Sequence, residues 1–258
     1  MNNIHPTAIV STKAKIGHNN IIHPFTIIED DVEIGNDCEI GPHAVLYNGA
    51  RIANRVKIYQ NASVAHRPQD LKFGNEITYF YVDDDTVIHE CVTLHRGTKE
   101  TGQSKVGKKC LLMAYTHIAH DCVVGDNVIM ANSVQIAGHV HIEDWVIIGG
   151  TSAVHQFCKV GKHSMIGANT VAVKDVPPYV LSGRSPIKYE GLNKVGLRRR
   201  GFSEEDIATI KKTYDLIYNS GLNVSQALVK IEEDFESNKY VQDIISFIRT
   251  SKRGIIGR

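Results

Sequence analysis

The chain has 258 residues, with 29 Lys and Arg against 28 Asp and Glu, so its net charge of +1 gives no global field that would attract nucleic acid or a membrane surface. Hydrophobic residues make up 42% of the sequence, but no apolar run approaches the length of a membrane-spanning helix. The first residues, Met1 to Pro6, lack the basic and apolar regions of a signal peptide. We therefore expect a cytoplasmic protein with no nucleic-acid partner and no stable membrane insertion.

A period of six residues runs along the chain from its N-terminus. An aliphatic residue or Met stands at every sixth position, and a small or β-branched residue usually stands two positions before the next one. An α-helix repeats near 3.6 residues and a flat strand near two, so neither gives this pattern. A short strand and a turn in every six residues does, which predicts a parallel β-helix. The aliphatic positions include Ile4, Val10, Ile16, Ile22, Ile28, Ile34, Ile40, Leu46, Ile52, Ile58 and Val64, and later Ile118, Val124, Met130, Ile136, Ile142, Ile148 and Val154.

The period fails twice, and each failure predicts a loop insertion. In the first, residues 70–81, Asp70 and Glu76 hold positions that an aliphatic residue should fill. The second, residues 99–105, is rich in glycine and charge. Insertions in a repeat protein collect on the face that binds the ligand.

Four of the five cysteines fall on the small inward position of the repeat: Cys38, Cys110, Cys122 and Cys158. Free cysteines pack as small hydrophobic residues. We therefore expect buried free thiols rather than disulfides or a metal cluster.

The repeat ends at Pro177 and Pro178, because proline removes backbone donors from a strand ladder. We therefore predict a β-helical domain over 1–178, a connector over 179–202 and an α-helical C-terminal domain over 203–258. Ser203 and Asp206 form a capping-box pattern that opens the first helix, which ends at Gly221. Two further helices are expected, at Val224–Phe235 and 239–250, and together they would cover the open last coil.

Several motifs give the chain a family resemblance. They are Gln69-Asp-Leu-Lys72, Leu94-His95-Arg-Gly-Thr98, His117-Ile-Ala-His120-Asp-Cys122, Ala137-Gly-His-Val140, Ala153-Val-His-Gln-Phe157, Asp175-Val-Pro-Pro-Tyr179 and Arg199-Arg-Gly-Phe202. With them the chain resembles, over nearly its whole length, the acyl-[acyl-carrier-protein]–UDP-N-acetylglucosamine O-acyltransferases, hexapeptide-repeat enzymes of lipid A synthesis. The resemblance implies a mainly β fold, a left-handed parallel β-helix of hexapeptide repeats with a C-terminal α-helical cap and three hexapeptides per coil.

That coil size predicts which residues lie above one another. With both loops set aside, the hexapeptides that begin at Leu94, Ile118, Ile136 and Val154 stack on one face, about 4.8 Å apart. Both loops leave at the downstream corner of this same face. Three columns of side chains should then meet there: Arg96, His120, Gly138 and Gln156; His95, Ala119, Ala137 and His155; and Gly97, Asp121, His139 and Phe157.

The resemblance implies roles for the residues of this patch. His120 corresponds to the general base of the family, a role that suits a group titrating near neutrality. Asp121 is the candidate to hold the tautomer of His120 and to stabilise its charged form. Gly138 corresponds to the family's oxyanion donor, whose backbone N–H no side chain obstructs.

Other residues correspond to substrate contacts. Those expected to position substrates are Gln69, Asp70, Lys72, His95, His117, His139, His155 and Gln156. Asn193, Arg199 and Arg200 correspond to the end that faces the nucleotide and the carrier. Val195 replaces a glutamate of the nucleotide loop, which puts that one contact in doubt. Ala168 stands where the family has a glycine that helps to set acyl chain length, and no length is predicted.

The resemblance also implies the reaction. A 3-hydroxyacyl group would move from an acyl carrier protein thioester to the 3-hydroxyl of the glucosamine unit of UDP-N-acetylglucosamine, by direct attack and without a metal or cofactor. An amino-substituted analogue as the acceptor stays open. We further expect a homotrimer with its sites between subunits, because a convex prism face alone cannot enclose an acyl chain.

Two other interpretations stay open on sequence alone. Zinc hydratases of the γ-carbonic-anhydrase kind use the same solenoid, and His117 and His120 could be zinc ligands. A solenoid can also serve as a binding scaffold without enzymatic activity. Metal analysis would test the first alternative, and an activity assay the second.

Overall fold

The structure is a computed structural model that describes residues 1–235 and 238–258. Within these residues it has 28 strands, most of them two residues long, followed by four helices near the C-terminus. It is a left-handed parallel β-helix with a C-terminal helical cap, so the predicted fold class is confirmed.

The strands of the first half are β1 (Asn3–Ile4), β2 (Ile9–Val10), β3 (Lys15–Ile16), β4 (Ile21–Ile22), β5 (Ile27–Ile28), β6 (Glu33–Ile34), β7 (Glu39–Ile40), β8 (Val45–Leu46), β9 (Ala50–Ile52), β10 (Lys57–Ile58), β11 (Ser63–His66), β12 (Tyr79–Val82), β13 (Val87–Ile88) and β14 (Thr93–His95). Those of the second half are β15 (Gln103–Val106), β16 (Leu111–Leu112), β17 (His117–Ile118), β18 (Val123–Val124), β19 (Ile129–Met130), β20 (Gln135–Ile136), β21 (His141–Ile142), β22 (Ile147–Ile148), β23 (Ala153–Val154), β24 (Lys159–Val160), β25 (Met165–Ile166), β26 (Val171–Ala172), β27 (Val180–Gly183) and β28 (Lys188–Leu192).

From β1 to β26, each strand pairs in parallel with the strand three places before or after it, which gives three sheets around one core. Sheet 1 runs β1-β4-β7-β10-β13-β16-β19-β22-β25-β27-β28, sheet 2 runs β2-β5-β8-β11-β14-β17-β20-β23-β26, and sheet 3 runs β3-β6-β9-β12-β15-β18-β21-β24. The protein is therefore a triangular prism, and each of its three long edges is formed by the corners between two sheets.

The six-residue period has a structural cause at both of its marked positions. The aliphatic residues point inward and are buried, as at Ile118 and Ile136, which are both 0% exposed. Three residues later the backbone turns the corner with a positive φ, for example 60° at Asp121 and 61° at His139. The following small residue, such as Cys122, lets the chain enter the next strand without filling the core.

Both insertions begin and end three residues earlier than predicted, at unchanged length. Loop 1 covers residues 67–78, because Tyr79 begins β12, and loop 2 covers residues 96–102, because Gln103 begins β15. These two strands are four residues long and alternate exposed or half-buried with buried positions. They pair with each other in register, with Phe80 opposite Ser104. The six-residue count finds only the last residue of each strand, Val82 and Val106, because the residues before it follow a period of two.

The predicted connector is more regular than expected. After the two prolines, β27 continues sheet 1 in parallel beside β25 and then forms an antiparallel hairpin with β28. A short helix, α1 (Lys194–Arg199), follows. The prolines therefore end sheets 2 and 3 but not sheet 1.

The three predicted helices are present as α2 (Glu204–Asn219), α3 (Val224–Phe235) and α4 (Lys239–Arg249). The capping box is confirmed, since the Asp206 N–H donates to Ser203 Oγ at 3.0 Å and the Ser203 N–H donates to Asp206 Oδ2 at 3.2 Å. The helices pack on the end of the β-helix, where the Tyr214 hydroxyl donates to the Pro178 carbonyl at 2.7 Å.

Two further sequence expectations concern the core and the membrane. Among the residues described, all five cysteines are free thiols, and the four at inward positions are buried, as predicted. Over the same residues, no helix combines the length and the apolar character needed to cross a bilayer.

Candidate active site

The predicted stack of hexapeptides is confirmed by the strand register. Leu94 pairs with Ile118, Ile118 with Ile136, and Ile136 with Val154. The four corners that follow these strands lie above one another on the edge between sheets 2 and 3. Both loops leave from this edge, because each follows a strand of sheet 2 and precedes a strand of sheet 3.

His120 and Asp121 form a hydrogen-bonded pair at this edge. His120 Nδ1 lies 2.7 Å from Asp121 Oδ2, and the two side chains are 16% and 0% exposed. The positive φ of Asp121 turns its side chain back toward the preceding histidine instead of outward. This contact leaves His120 Nε2 as the ring nitrogen without a partner among the described residues.

The Asp121 carboxylate is held by loop 2 as well. The Thr98 N–H donates to Oδ1 at 3.0 Å, the Thr98 hydroxyl donates to Oδ2 at 2.9 Å, and the Thr101 hydroxyl also donates to Oδ1. Burial acts to raise the pKa of Asp121, but the hydrogen bonds from His120, Thr101 and Thr98 outweigh it and hold the pKa far below its usual range. Asp121 is therefore an anion at any pH at which the protein would work.

Asp121 in turn affects the pKa of His120. The hydrogen bond to Asp121 raises that pKa above its ordinary value, burial opposes the rise, and the charges of Asp121, Asp70 and Glu100 add to it. The net effect is a His120 imidazole with a raised pKa, which holds its proton more firmly than a free histidine does.

Gly138 lies directly against the His120 ring. A Cβ atom at position 138 would stand 2.8 Å from His120 Cε1 and 2.9 Å from Nε2, closer than real Cβ contacts allow. Glycine is therefore the residue that lets the imidazole rest on the backbone of the next coil. Among the described residues, no acceptor takes the Gly138 N–H, which leaves this donor beside His120 Nε2.

His139 completes this corner of the site. Its ring stacks on Phe157 with a centroid separation of 4.6 Å and meets the His120 ring edge-on at 5.2 Å. His139 Nε2 lies 3.6 Å from Glu100 Oε2 and 3.7 Å from Asp121 Oδ2. A ring held between Phe157 and His120 is well placed to position a substrate.

The same three residues are close enough to hold a metal ion. One ligand atom each from His120, Asp121 and His139 lies within 4.8 Å of the others. However, the Asp121 contact already occupies His120 Nδ1, so a metal bound there would have to displace that hydrogen bond.

His117 and His95 lie on the sheet 2 face next to this edge. His117 Nδ1 lies 2.7 Å from the Thr93 hydroxyl, and the His117 ring meets the His95 ring edge-on at 4.9 Å. Burial, and then the His120 charge, lowers the pKa of His117. Burial, helped by His117, His66 and His120, lowers the pKa of His95 to about 3. Both rings are therefore neutral and suited to neutral hydrogen bonds.

The remaining predicted residues near this edge are more exposed. His155 and Gln156 are exposed on the next coil, and so are Gln69 and Lys72 in loop 1. Asp70 is half-buried, accepts the Lys72 N–H at 2.9 Å and is close enough to raise the pKa of His120.

Asn193, Arg199 and Arg200 lie elsewhere, on the edge between sheets 3 and 1. Arg200 lies 5.2 Å from the Trp145 ring and 3.4 Å from His163 Nδ1, and both of these residues are at corners of that edge. The Asn193 side chain has a structural role, since it caps α1 and donates to the His163 carbonyl at 2.9 Å. Arg199 is exposed. Within one chain the predicted site is therefore divided between two edges of the prism.

Sequence reasoning missed Thr98, Thr101 and Glu100 as parts of the site. The sequence could have indicated Thr98, because this residue ends the Leu94–Thr98 motif. Thr101 and Glu100 lie where the period breaks, so the repeat gives no position for their side chains. His163 was also missed; burial, and then the charges of Arg200 and Lys162, lowers its pKa to about 4.

Comparisons with known proteins identify the family of the chain. The sequence profile described as "Udp N-acetylglucosamine O-acyltransferase; Domain 2" matches residues 175–256, and a bacterial transferase hexapeptide profile matches residues 13–48 and 103–138. Two relatives named acyl-[acyl-carrier-protein]–UDP-N-acetylglucosamine O-acyltransferase align with 99% of this chain and 100% of their own. The protein from Thiobacillus denitrificans is 46% identical over 257 residues, and that from Burkholderia mallei 48% over 261.

Solved structures with similar titles share the whole fold. The UDP-N-acetylglucosamine acyltransferase from Francisella novicida has a TM-score of 0.97 at 37% identity and covers 99% of this chain and 94% of its own. The enzyme of that name from Bacteroides fragilis has a TM-score of 0.96 at 43% identity, with 98% and 99% covered. This chain therefore belongs to the acyl-[acyl-carrier-protein]–UDP-N-acetylglucosamine O-acyltransferase family, and it is an acyltransferase.

Proposed function

We propose that this protein transfers a 3-hydroxyacyl group from the thioester of acyl carrier protein to the 3-hydroxyl of the glucosamine unit of UDP-N-acetylglucosamine, the first step of lipid A synthesis. The names of the relatives give the donor and the acceptor of those enzymes. The single observation that carries the proposal here is the His120–Asp121 pair: His120 Nε2 lies beside the Gly138 N–H, and neither has a partner within residues 1–235 and 238–258. A base beside an oxyanion donor is the arrangement that acyl transfer requires.

The proposed reaction is a direct attack. His120 Nε2 takes the proton of the sugar hydroxyl while the hydroxyl oxygen forms a bond to the thioester carbonyl carbon. The carbonyl oxygen becomes an oxyanion and accepts the Gly138 N–H. When the intermediate collapses, the carbon–sulfur bond breaks and the His120 proton passes to the departing thiol. Asp121 stays ionised throughout and stabilises the imidazolium.

The local nucleophiles favour this direct route over an acyl-enzyme. Cys122 follows Asp121 in the chain, but its sulfur is turned inward to the Ala137 carbonyl, and burial raises its pKa to about 12. The hydroxyls of Thr98 and Thr101 are both engaged with Asp121. None of these three side chains offers an activated nucleophile at His120.

The outward faces of the prism support a homotrimer. In the coils around the site, the outward residues of sheet 1 are all apolar: Val87, Leu111, Ile129, Ile147 and Met165. Those of sheet 2 are uncharged, namely Thr93, His117, Gln135 and Ala153. Sheet 3 differs because it presents two lysines, Lys105 and Lys159, with Val123 and His141 between them. Charged faces favour water and apolar faces favour a partner, so sheets 1 and 2 are the candidates for subunit contact.

Such packing would bring the His120 corner of one copy close to the Arg200 edge of another. If sheet 1 of one copy faces sheet 2 of the next, the shared edge between sheets 1 and 2 lies near the threefold axis. Small or apolar residues occupy that edge: Met113, Ala114, Ala131, Gly149, Gly150 and Gly167. The two outer edges then meet, so that His120 of one copy lies toward Arg200 of its neighbour. Closed symmetry of this kind leaves no unsatisfied face.

The C-terminal region suits an acidic carrier protein. Residues 184–258 contain 14 Lys and Arg against 10 Asp and Glu, a net charge of +4, whereas residues 1–183 contain 15 against 18, a net charge of −3. An acidic partner is therefore attracted to the connector and cap, although only weakly at physiological ionic strength.

Product analysis tests the proposal. The purified enzyme is incubated with UDP-N-acetylglucosamine, or its amino-substituted analogue, and a panel of 3-hydroxyacyl carrier proteins, and the products are identified by mass spectrometry. We expect an O-acylated sugar nucleotide whose mass follows the acyl chain supplied. Hydrolysis of the thioester without sugar acylation would contradict the proposal.

Metal analysis addresses the zinc alternative. The enzyme is dialysed against a chelator and assayed before and after zinc is added. We expect full activity without metal, because proton transfer by His120 uses the nitrogen that is free. Loss of activity on dialysis and its recovery with zinc would instead support the His120–Asp121–His139 cluster as a metal centre.

A further inference from the structure

Loop 2 reaches across to the Asp121 carboxylate and surrounds it with donors. Oδ1 accepts the Thr98 N–H at 3.0 Å and the Thr101 hydroxyl, and Oδ2 accepts the Thr98 hydroxyl at 2.9 Å and faces His120 Nδ1 at 2.7 Å. A carboxylate has about four lone-pair sites, two on each oxygen, and here all of them are filled. The side chain is 0% exposed, so water does not compete for them.

This arrangement decides between two possible partners of Asp121. Oδ2 lies 2.7 Å from His120 Nδ1, and the competing His139 Nε2 is 3.7 Å from the same oxygen. A modest rotation of the carboxylate would therefore exchange one histidine for the other. The two threonine hydroxyls bind opposite oxygens of the group and prevent that rotation.

Loop 2 is itself held in place by loop 1. Glu76 Oε1 accepts the Lys99 N–H at 3.1 Å, and the Gly102 N–H donates to the Thr98 carbonyl at 2.7 Å across the turn. The Gly97 N–H donates to the Tyr79 carbonyl at 3.2 Å, where loop 1 ends. The two insertions thus form one hydrogen-bonded unit whose inner side carries Thr98 and Thr101.

We propose that Thr98 and Thr101 are positioning residues for acyl transfer: they lock the Asp121 carboxylate onto His120 Nδ1 and thereby keep Nε2 of His120 free to take the substrate proton. The inference rests on the proposed role of His120 as general base. Neither threonine touches the substrate in this scheme, and both act through Asp121. The second insertion in the repeat therefore serves the chemistry as well as the substrate.

Kinetics of threonine variants give the first test. Thr98→Val and Thr101→Val keep the shape of the side chain but remove its hydroxyl, whereas Thr98→Ser and Thr101→Ser keep the donor. We expect the double valine variant to lose about 10–100-fold in kcat, since a small displacement of a catalytic group has effects of this size, with little change in KM. The serine variants should stay near the wild-type kcat.

The controls separate this effect from general damage. Thr7→Val removes a threonine hydroxyl in the first coil, where it lies 2.9 Å from His5 Nδ1 and far from Asp121, and should leave kcat unchanged. If the double valine variant does not fold, the single Thr98→Ala and Thr101→Ala variants replace it. Circular dichroism and light scattering establish that each variant has the fold and mass of the wild type.

Nitrogen NMR of the free enzyme gives the second test, which needs no turnover. With 15N-labelled histidine, neutral His120 of the wild type should carry its proton on Nδ1, and its signals are assigned with His120→Gln. In the double valine variant we expect a mixture with the Nε2–H tautomer.

The combined outcomes are distinct. A lower kcat together with the mixed tautomer supports the proposal. An unchanged tautomer overturns it, whatever happens to kcat. A mixed tautomer with an unchanged kcat would instead show that Thr98 and Thr101 orient His120 but that His120 is not the base. This outcome would contradict the proposed function.

Discussion

His120 is the residue on which the proposed chemistry depends most directly. We expect His120→Ala to lower kcat by about 10²–10⁴-fold, the usual cost of losing a general base. Binding of UDP-N-acetylglucosamine, measured by calorimetry, should change little, because Nε2 acts on the proton and not on the nucleotide. A loss in kcat of less than about tenfold would remove His120 from this role.

Asp121 controls the pH at which that base works. The carboxylate raises the pKa of His120, and a general base must be neutral, so kcat/KM should rise with pH through the raised pKa. In Asp121→Asn the negative charge is gone, the pKa of His120 falls, and the acid limb of the pH profile should move to lower pH. The maximal rate should fall as well, because an amide can also hold the wrong tautomer. An acid limb at the same pH in both enzymes would contradict this assignment.

Gly138 offers a test of close packing in the site. In Gly138→Ala the new Cβ would meet the His120 ring at 2.8 Å and displace it from the backbone donor. We expect a kcat loss of about 10²-fold or more in a folded protein. Gly257→Ala is the matched control, because nothing lies within 4 Å of a Cβ at that position. Equal kcat values for the two variants would show that this contact is not needed.

The residues of the His120 corner could be predicted because they occur at repeat positions. Once three hexapeptides per coil are assumed, counting places His120, Gly138 and Gln156 in one column, and the strand register agrees. Counting fails for Thr98 and Thr101, whose side chains are placed by loop geometry and by the turned backbone at Asp121. Counting repeat positions also cannot show that the Asn193 side chain caps a helix.

At the scale of elements, the two-residue strands could be predicted, whereas the first residues of β12 and β15 could not. A strand such as His117–Ile118 needs only one inward residue per six, which the sequence displays directly. In the strands Tyr79–Val82 and Gln103–Val106, buried residues alternate with more exposed ones. These two strands follow the two insertions and pair with each other. The hairpin of β27 and β28 likewise depends on long-range pairing that no local period marks.

The connector helix carries a charge that we expect to act on the carrier protein. Arg199 is exposed and, among the described residues, pairs with no acidic side chain, whereas neighbouring Arg198 binds Glu204 at 2.6 and 3.0 Å. Arg199→Ala should therefore raise KM for the acyl carrier at low salt, and the difference from wild type should shrink at high salt.

Arg198→Ala is the matched control for this prediction, because its charge is already offset by Glu204 and its loss should change the carrier KM less. KM for the sugar nucleotide is measured in parallel. If Arg199→Ala raises that KM and leaves the carrier KM unchanged, then Arg199 faces the nucleotide instead.

For the molecule as a whole, the main physical question is how a convex prism forms an enclosed site. One chain presents His120 on one edge and Arg200 on another, and the third edge lies between the apolar face of sheet 1 and the uncharged face of sheet 2. Water must be excluded around a developing oxyanion for a backbone donor to be effective. A neighbouring copy would supply both the cover and the residues of the other edge, which is why the trimer is part of the proposed mechanism. Light scattering should accordingly give about three times the 28.6 kDa mass of the chain.

Subunit complementation tests whether the site is shared. His120→Ala and Arg200→Ala chains, each nearly inactive alone, are unfolded, mixed in equal amounts and refolded together. Every mixed ring of three contains one boundary at which an intact His120 faces an intact Arg200. Random assembly should therefore restore about a quarter of the wild-type sites. Mixing without unfolding serves as the control, since intact trimers exchange no chains. If the mixed trimers are as inactive as their parents, His120 and Arg200 do not serve one site between subunits, and the enclosed site must be built another way.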